Sequence, residues 1–342
     1  MPGYKEVAQT MEEEIKAGKY EERLPTIDGL CDIYKVSRVT MQRAIGVLKK
    51  REVVNTSPKR GISVTRLKRP RSHVLGAVLH TKYGSPLHEQ LIEGMYHEAE
   101  KFNEVVAVSA GTLGNVKKEV TQIKQLLEKQ KVDGFVIWPS WNDGKVSPGV
   151  QYLIDEEIPF VVVPDDFKQQ YRNCNLVTNR NDTGSSEVMT HLLGSSYKNI
   201  LFVTKSTANT PSFTEKRYEQ YKKSLGLANL KSYPMMNCKE LAKKRKVFDG
   251  IDAVFCDTDE CAIELVKICL QKGVSIPGDI ALVGYDNTKI AHKLDITSIE
   301  QHFGNLGRLA IDVLLRDING ELKEKEHHTV QSELIIRNSS KR

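Results

Sequence analysis

The sequence predicts an α/β protein in two parts: a small helical domain with a β-hairpin, then two tandem units of alternating strands and helices. Three observations predict this. The chain has 342 residues, more than one core usually supports. Apolar residues before position 65 mostly follow helical spacing, whereas those after position 73 include short continuous runs typical of buried parallel strands. The excess of positive charge lies in the first fifth of the chain.

That charge asymmetry concerns the kind of partner. Residues 1–70 contain 15 lysines and arginines against 9 aspartates and glutamates. Since the whole chain has 50 and 44, the remainder holds 35 of each and is neutral. A basic first segment followed by a neutral remainder indicates an anionic polymer as partner of that segment. A basic surface that is merely solvated would give the same numbers of charged residues.

The first domain is predicted over residues 1–68. Helical spacing predicts one helix over Tyr4–Lys16, a second that begins after the cap Thr26, and a third that runs from Arg38 to about Arg51. The apolar residues of the third helix are expected to pack inward, chiefly Met41, Ala44, Ile45 and Leu48, and Val39 with them. Two short β runs, at 53–54 and 62–64, flank a basic tip and predict a hairpin.

Helix, helix, turn, helix and hairpin is the order of a winged helix-turn-helix. Its third helix would enter the major groove and its hairpin tip would follow the DNA backbone. Gln42 could pair with adenine N6 and N7. The residues predicted to face DNA are Thr26, Ser37, Arg38, Thr40, Gln42, Arg43, Lys59, Arg60 and Gly61.

The stretch LPTIDGLCDIYKVSRVTMQRAIGVLKKREVVNTSPKRGISV resembles the GntR-family DNA-binding domain. The resemblance implies that Arg38, Thr40 and the wing glycine Gly61 lie at the DNA. Two positions depart from the family pattern. Asp28 stands where the family often has an arginine, and Gln42 replaces the second arginine of the third helix. These departures imply an operator unlike those of typical members.

Residues 69–73 are basic and include Pro70, which predicts an extended linker. Over 74–342 strands and helices alternate, as in parallel sheets built from right-handed crossovers. The alternation runs twice and predicts two lobes, about 74–172 with 302–325 and about 173–299 with 327–342. Ligands bind beyond the carboxyl ends of such strands, so the following loops should line a cleft.

The segments GIDAVFCDTDECAIELVKICLQKGVSIPGDIALVGYDN and ITSIEQHFGNLGRLAIDVLL resemble the lac-repressor/galactose-repressor sensor domain, which is periplasmic-binding-protein-like. The resemblance covers almost all of 74–342. It implies ligand contacts by an arginine and several carboxylates, and aromatic side chains could stack on an apolar sugar face. The candidate ligand residues are Tyr83, Ser85, His88, Trp141, Asp165, Phe213, Arg217, Thr258, Asp259 and Asp286.

Other classes of site are not expected. The 6 cysteines form no C-x-x-C pair, which disfavours a zinc site or a disulfide framework. The sequence has no nucleophile elbow, no H-E-x-x-H, no Walker motif and no G-x-G-x-x-G after a strand, so no catalytic residue, metal or cofactor is predicted. With no apolar signal core and no run long enough to cross a bilayer, a cytoplasmic location is expected.

Together these patterns predict a ligand-responsive transcription regulator, with repression relieved by the ligand as the expected sign. A homodimer would place two winged helices on a palindromic operator. The domain arrangement resembles that of arabinose repressors, which implies a monosaccharide or related polyol as effector. Three alternatives remain open at this point: a solute-binding protein for sugar uptake, an activator or a regulator sensing a purine or another metabolite, and an enzyme on this scaffold.

Overall fold

A computed structural model describes residues 2–20, 23–51, 53–57, 61–64, 71–80, 85–140, 144–163, 170–205, 207, 212–243 and 246–341. The chain divides into two compact units, Met1–Ser72 and His73–Arg342. Within the described ranges no helix is long and apolar enough to cross a membrane. Over the same residues, no group of three or more His, Cys, Asp or Glu side chains could hold a metal ion.

The first unit has the predicted order of three helices and a hairpin: α1 (Tyr4–Lys16), α2 (Ile27–Tyr34), α3 (Arg38–Lys50), β1 (Val54–Ser57) and β2 (Gly61–Val64). The two strands pair antiparallel. The apolar faces of the helices meet in one core, as their 3.6-residue spacing requires. Its fully buried side chains include Met11, Leu30, Met41 and Leu48.

The second unit is larger and alternates strands with helices. In chain order its elements are β3 (Val74–Leu79), α4 (Pro86–Lys101), β4 (Val105–Ala110), α5 (Val116–Gln125) with a π-helical turn at Leu126–Gln130, β5 (Phe135–Ile137), α6 (Pro148–Asp155), β6 (Phe160–Val162), β7 (Asn175–Asn179), α7 (Asn181–Gly194), β8 (Ile200–Thr204), α8 (Ser212–Leu227), β9 (Met236–Asn237), α9 (Cys238–Lys243), β10 (Ala253–Cys256), α10 (Asp259–Lys272), β11 (Ala281–Val283), α11 (Lys289–Lys293), β12 (Ser298–Glu300), α12 (Phe303–Asn319), β13 (His327–Val330), β14 (Glu333–Ile335) and a final 3₁₀ turn at Asn338–Ser340.

Ten of these strands form two parallel sheets, one for each lobe, and β12 and β14 pair antiparallel in a separate two-stranded sheet. The first has the order β13-β7-β6-β5-β3-β4 and the second the order β11-β10-β8-β9. Helices cover both sheets, so the strands read as continuous apolar runs. On the first lobe α4 and α12 cross at very short range: a Cβ on Gly94 would lie 2.0 Å from the carbonyl oxygen of Gly304.

The lobe boundaries need one correction. The sequence prediction assigned 173–179 and 327–330 to the second lobe, but β7 and β13 pair with each other and with β6 in the first sheet. The physical reason is that backbone hydrogen bonds, rather than the order of elements along the chain, decide which sheet a strand joins. The first lobe therefore includes β7 and β13.

Three chain segments connect the lobes. The first leads from β7 into α7, the second from β12 into α12, and the third from β13 into β14. Helix α7 packs in the core of the second lobe with Phe202 and Phe255, whereas α12 packs in the first. Since β7 runs parallel to its neighbours, the carboxyl edge of the first sheet faces these connections.

Candidate functional site

The surface of the first unit that the sequence predicts to face DNA lies at the start of α3. The Ser37 hydroxyl accepts a hydrogen bond from the Thr40 amide at 3.3 Å, and the Thr26 hydroxyl caps α2 in the same way through the Gly29 amide. Both predicted caps are present. Each satisfies an amide that the first helical turn leaves without a partner. The caps therefore hold the N-terminus of the reading helix in a defined orientation.

The outer side of α3 presents the predicted polar residues. Arg38, Gln42 and Arg43 are exposed, and Thr40 is half-buried with its hydroxyl 2.9 Å from that of Ser37. Gly61 begins β2 with φ of +75°, a conformation that glycine adopts without strain. The wing-tip residues Lys59 and Arg60 lie outside the described residues.

One prediction for this helix is wrong. Val39 was expected to pack inward, but its side chain is 60% exposed. The core positions of α3 are Met41, Ala44, Ile45 and Leu48. Val39 lies on the opposite side because a helix turns about 100° per residue, so an apolar residue two positions before Met41 cannot share its face.

Asp28, one of the two residues that depart from the family pattern, contacts Arg38. Its carboxylate accepts from the Arg38 Nη1 at 3.0 and 3.4 Å, and both side chains are more than 60% exposed. An ion pair so exposed contributes little to stability. It does restrict the guanidinium to one side, with Nε and Nη2 left to face a ligand.

The predicted ligand site of the second lobe centres on Arg217 of α8. This side chain is only 3% exposed. Its Nε and Nη2 donate to Asn181 Oδ1 at 3.0 and 2.7 Å, and its Nη1 donates to the carbonyl oxygen of Asp257. The guanidinium carbon lies 3.5 Å from the centre of the Tyr285 ring and 4.8 Å from that of Phe213. These contacts hold the arginine between α7, α8 and the end of β10.

Asp257 connects this cluster to the ends of β8 and β10 and to the start of α8. Its Oδ2 accepts from the hydroxyls of Thr204 at 2.6 Å and Thr214 at 2.8 Å. Thr204 ends β8, Thr214 lies in the first turn of α8, and Asp257 directly follows β10. The polar groups thus collect at the carboxyl edge of the second sheet, where ligands of such folds bind.

Asp286 links the cluster to the inter-lobe connections. Its Oδ1 accepts from Gln301 Nε2 at 2.6 Å, and Gln301 Oε1 accepts from Asn179 Nδ2 at 2.5 Å. Asn179 ends β7 and Gln301 directly follows β12 on the way to α12, so these residues belong to two of the three connecting segments. Asp286 has φ of +114°, which a residue with a side chain rarely adopts, and such backbone strain is concentrated at functional sites.

Two further predicted ligand residues, Thr258 and Asp259, make hydrogen bonds within the second lobe. Thr258 caps α10 by accepting from the Cys261 amide at 3.3 Å. Asp259 is fully buried, and its two oxygens accept from the Ser298 hydroxyl and the Thr288 amide, both at 2.6 Å. Asp259 therefore fastens α10 to β12 and to the start of α11.

The first lobe contributes fewer described residues. His88 on α4 is 1% exposed and meets the Trp138 ring edge to face, with centroids 5.0 Å apart. Ser85 precedes α4 without a side-chain capping bond. Tyr83, Trp141 and Asp165 lie outside the described residues.

Five polar or aromatic residues of the cluster were missed in the sequence. They share a position directly after a strand or at the start of the next helix, or they stack on Arg217. A signal existed, since polar residues at strand ends mark the ligand-binding edge of a parallel sheet. These residues are Asn179, Asn181, Asp257, Tyr285 and Gln301.

The pKa of Asp286 gives a testable pH dependence. Burial raises it well above the usual 3.8, the Arg217 guanidinium opposes this rise, and the carboxylates of Asp259 and Asp257 add to it. When folding raises the pKa of a carboxyl group, the group's contribution to stability is fully present only at pH values below the pKa that the group has in the unfolded chain. That stability is lost as the pH rises towards the folded pKa, because the unfolded carboxyl ionises first.

We therefore expect Asp286→Asn to gain stability relative to the wild type as the pH rises from 4 to 7. The amide keeps an oxygen for Gln301 and never ionises. Urea unfolding of both proteins at several pH values measures this difference. Asp249→Asn, at an exposed aspartate of the same lobe, controls for the loss of one negative charge. A difference between Asp286→Asn and wild type that stays constant with pH contradicts the prediction.

Comparison with known proteins adds two family matches. The sequence profile of the bacterial regulatory proteins of the gntR family matches residues 3–64, and that of the periplasmic binding protein-like domain matches residues 189–340. The first range spans the helices and hairpin of the first unit. The second includes every strand of the second lobe and the returning α12.

Curated relatives include transcriptional repressors. The arabinose metabolism transcriptional repressor of Geobacillus stearothermophilus is 23% identical, and the alignment covers 100% of this chain and 98% of that protein. The HTH-type transcriptional repressor PurR of Histophilus somni (strain 129Pt) is 27% identical over 63% of this chain and 67% of its own length. One alignment thus spans both units.

Solved structures show the same fold. A CelR–cellobiose complex has a TM-score of 0.64 at 18% identity and covers 92% of this chain and 100% of its own. A LacI family transcriptional regulator from Enterococcus faecium with bound ribose has a TM-score of 0.63 at 21% identity and covers 78% and 98%.

Proposed function

Because the chain joins a GntR-type helix-turn-helix domain to a periplasmic-binding-protein-like domain, we propose that it is a transcriptional repressor whose hold on operator DNA is controlled by a small molecule. The observation that carries the proposal is the hydrogen-bonded path from Asp286 through Gln301 to Asn179. A group that binds at Asp286 acts directly on two segments connecting the lobes. A reading helix with exposed polar residues in the same chain supplies the output.

The effector in this proposal is a sugar or related polyol. The Arg217 guanidinium and the Asp286 carboxyl group offer donors and an acceptor to hydroxyl groups, and the Phe213 ring offers an apolar face. Neighbouring structures were solved with cellobiose and with ribose, and a relative along the whole chain is an arabinose metabolism repressor. Which sugar binds depends on loops of the first lobe as well.

The mechanism requires two conformations. Ligand closes the lobes, and closure changes the separation of two DNA-binding domains in a homodimer on a roughly palindromic operator. Only a difference in ligand affinity between the two conformations can shift DNA binding. Relief of repression therefore requires the closed form to fit the operator less well.

A gel-shift assay tests the proposal. The full chain is titrated onto duplex DNA from the region upstream of its own gene, at several salt concentrations, with and without pentoses, hexoses, cellobiose and purine bases. We expect a shifted complex whose affinity falls steeply with added salt, since phosphate contacts release counterions. A sugar should release the DNA.

Other outcomes would identify an alternative function. Release by a purine base alone would favour a regulator of non-sugar metabolism. Tighter DNA binding with ligand would indicate a co-repressor or an activator. Sugar binding without any DNA complex would favour a solute-binding protein, and turnover of a sugar would favour an enzyme.

A further inference from the structure

The outer side of α3 carries an apolar side chain among its polar ones. Val39, Gln42, Arg43 and Gly46 are spaced i, i+3, i+4 and i+7, so they form one stripe along the helix. All four are exposed. An isolated exposed valine on an ordinary surface has no special meaning. This one, however, occupies the second position of the reading helix, directly beside Arg38.

Gly46 shows how closely this stripe can be approached. A Cβ at this position would meet nothing within 4 Å, so the packing of the domain does not require a glycine. A glycine inside a helix costs about 1 kcal/mol relative to alanine. A bare backbone on the outer stripe fits a helix that must lie against another surface, since glycine permits the closest backbone approach.

Val39 also has a definite chemistry. Its two methyl groups neither donate nor accept hydrogen bonds, so they gain nothing from phosphates or from the polar edges of guanine, adenine and cytosine. The apolar group displayed in the major groove is the 5-methyl group of thymine. Helix positions next to the N-cap are those that reach base edges in helix-turn-helix domains.

We infer that Val39 contacts the 5-methyl group of one thymine in each operator half-site and so selects thymine at that position. The inference rests on the proposed DNA-binding function and adds a specificity determinant to it. Burying one methyl group corresponds to an affinity ratio of about fourfold per half-site. Arg38 and Gln42 then recognise the neighbouring bases by hydrogen bonds, while Val39 recognises thymine by apolar contact with its methyl group.

The test compares thymine with deoxyuridine, which lacks only the methyl group. Operators are first selected from random duplex DNA with the full-length chain, and each thymine is then replaced in turn by deoxyuridine. At one position, equivalent in the two half-sites, we expect the wild type to bind thymine about fourfold more tightly than deoxyuridine per half-site. Val39→Ala should bind the deoxyuridine operator like the wild type and lose the preference.

Ile33→Ala is the matched control. Ile33 is an exposed apolar residue of α2, 49% exposed, and its loss should leave every thymine preference unchanged. If Val39→Ala keeps all the preferences of the wild type, or if the wild type has none, the inference is overturned. If no sequence is enriched from random DNA, the proposed function itself fails, which is a separate and earlier result.

Discussion

Arg38→Ala should weaken specific operator binding by about 1–3 kcal/mol, roughly 5- to 150-fold, if this side chain pairs with a base. Arg38 is the first residue of α3, capped by Ser37, and Asp28 holds one of its terminal nitrogens. The planar fork of an arginine matches the O6 and N7 of guanine. Because the Arg38–Asp28 pair is exposed, the variant should fold with nearly wild-type stability.

Two further variants separate base reading from charge. Arg38→Lys keeps the positive charge but not the fork, so it should retain non-specific DNA binding and lose much of the preference for the operator. Arg51→Ala removes the same charge just after the other end of α3, where Arg51 contacts Glu12 and Gln9 of α1. Fluorescence anisotropy with operator and scrambled DNA measures all three. Equal losses in Arg38→Ala and Arg51→Ala would show that Arg38 contributes charge alone.

Arg217→Ala should lower the free energy of unfolding of the second unit by about 3–5 kcal/mol, as does removal of one member of a buried charged network. The arginine donates to Asn181 and Asp257, packs on Tyr285, and is the cation that opposes the raised pKa of Asp286. A loss of this size is a large share of a typical stability of 5–15 kcal/mol. Both tryptophans of the chain, Trp138 and Trp141, lie in this unit, so their fluorescence during urea unfolding measures the loss.

Ligand response should also disappear in Arg217→Ala, while DNA binding by the first unit remains. Arg217→Lys keeps the charge and is the variant to use if the alanine protein does not fold. It should bind operator and respond weakly or not at all to sugar. Lys223→Ala, at an exposed lysine of the same helix, is the control and should respond normally. A folded Arg217→Lys protein with an unchanged ligand titration would place the effector site elsewhere.

Local patterns in the sequence were sufficient to predict the winged helix-turn-helix and the α/β character of the second unit. Helix α1 was predicted over Tyr4–Lys16 and has those bounds, and the caps Thr26 and Ser37 are present. Such features depend on residues within one or two turns of each other. A cap, an apolar stripe or a buried strand is encoded by its own neighbours.

The contacts between residues far apart in the chain were decided only by the tertiary structure. Asn179 and Gln301 are 122 positions apart and meet by a hydrogen bond, and β13 joins β7 of the first sheet rather than the second lobe. Val39 was misassigned because the prediction placed every apolar residue of the helix inward, whereas the turn of about 100° per residue puts Val39 on the side opposite Met41. Sequence spacing specifies each element's faces, whereas the choice of partner depends on how the whole chain packs, and that choice connects Asp286 to the segments between the lobes.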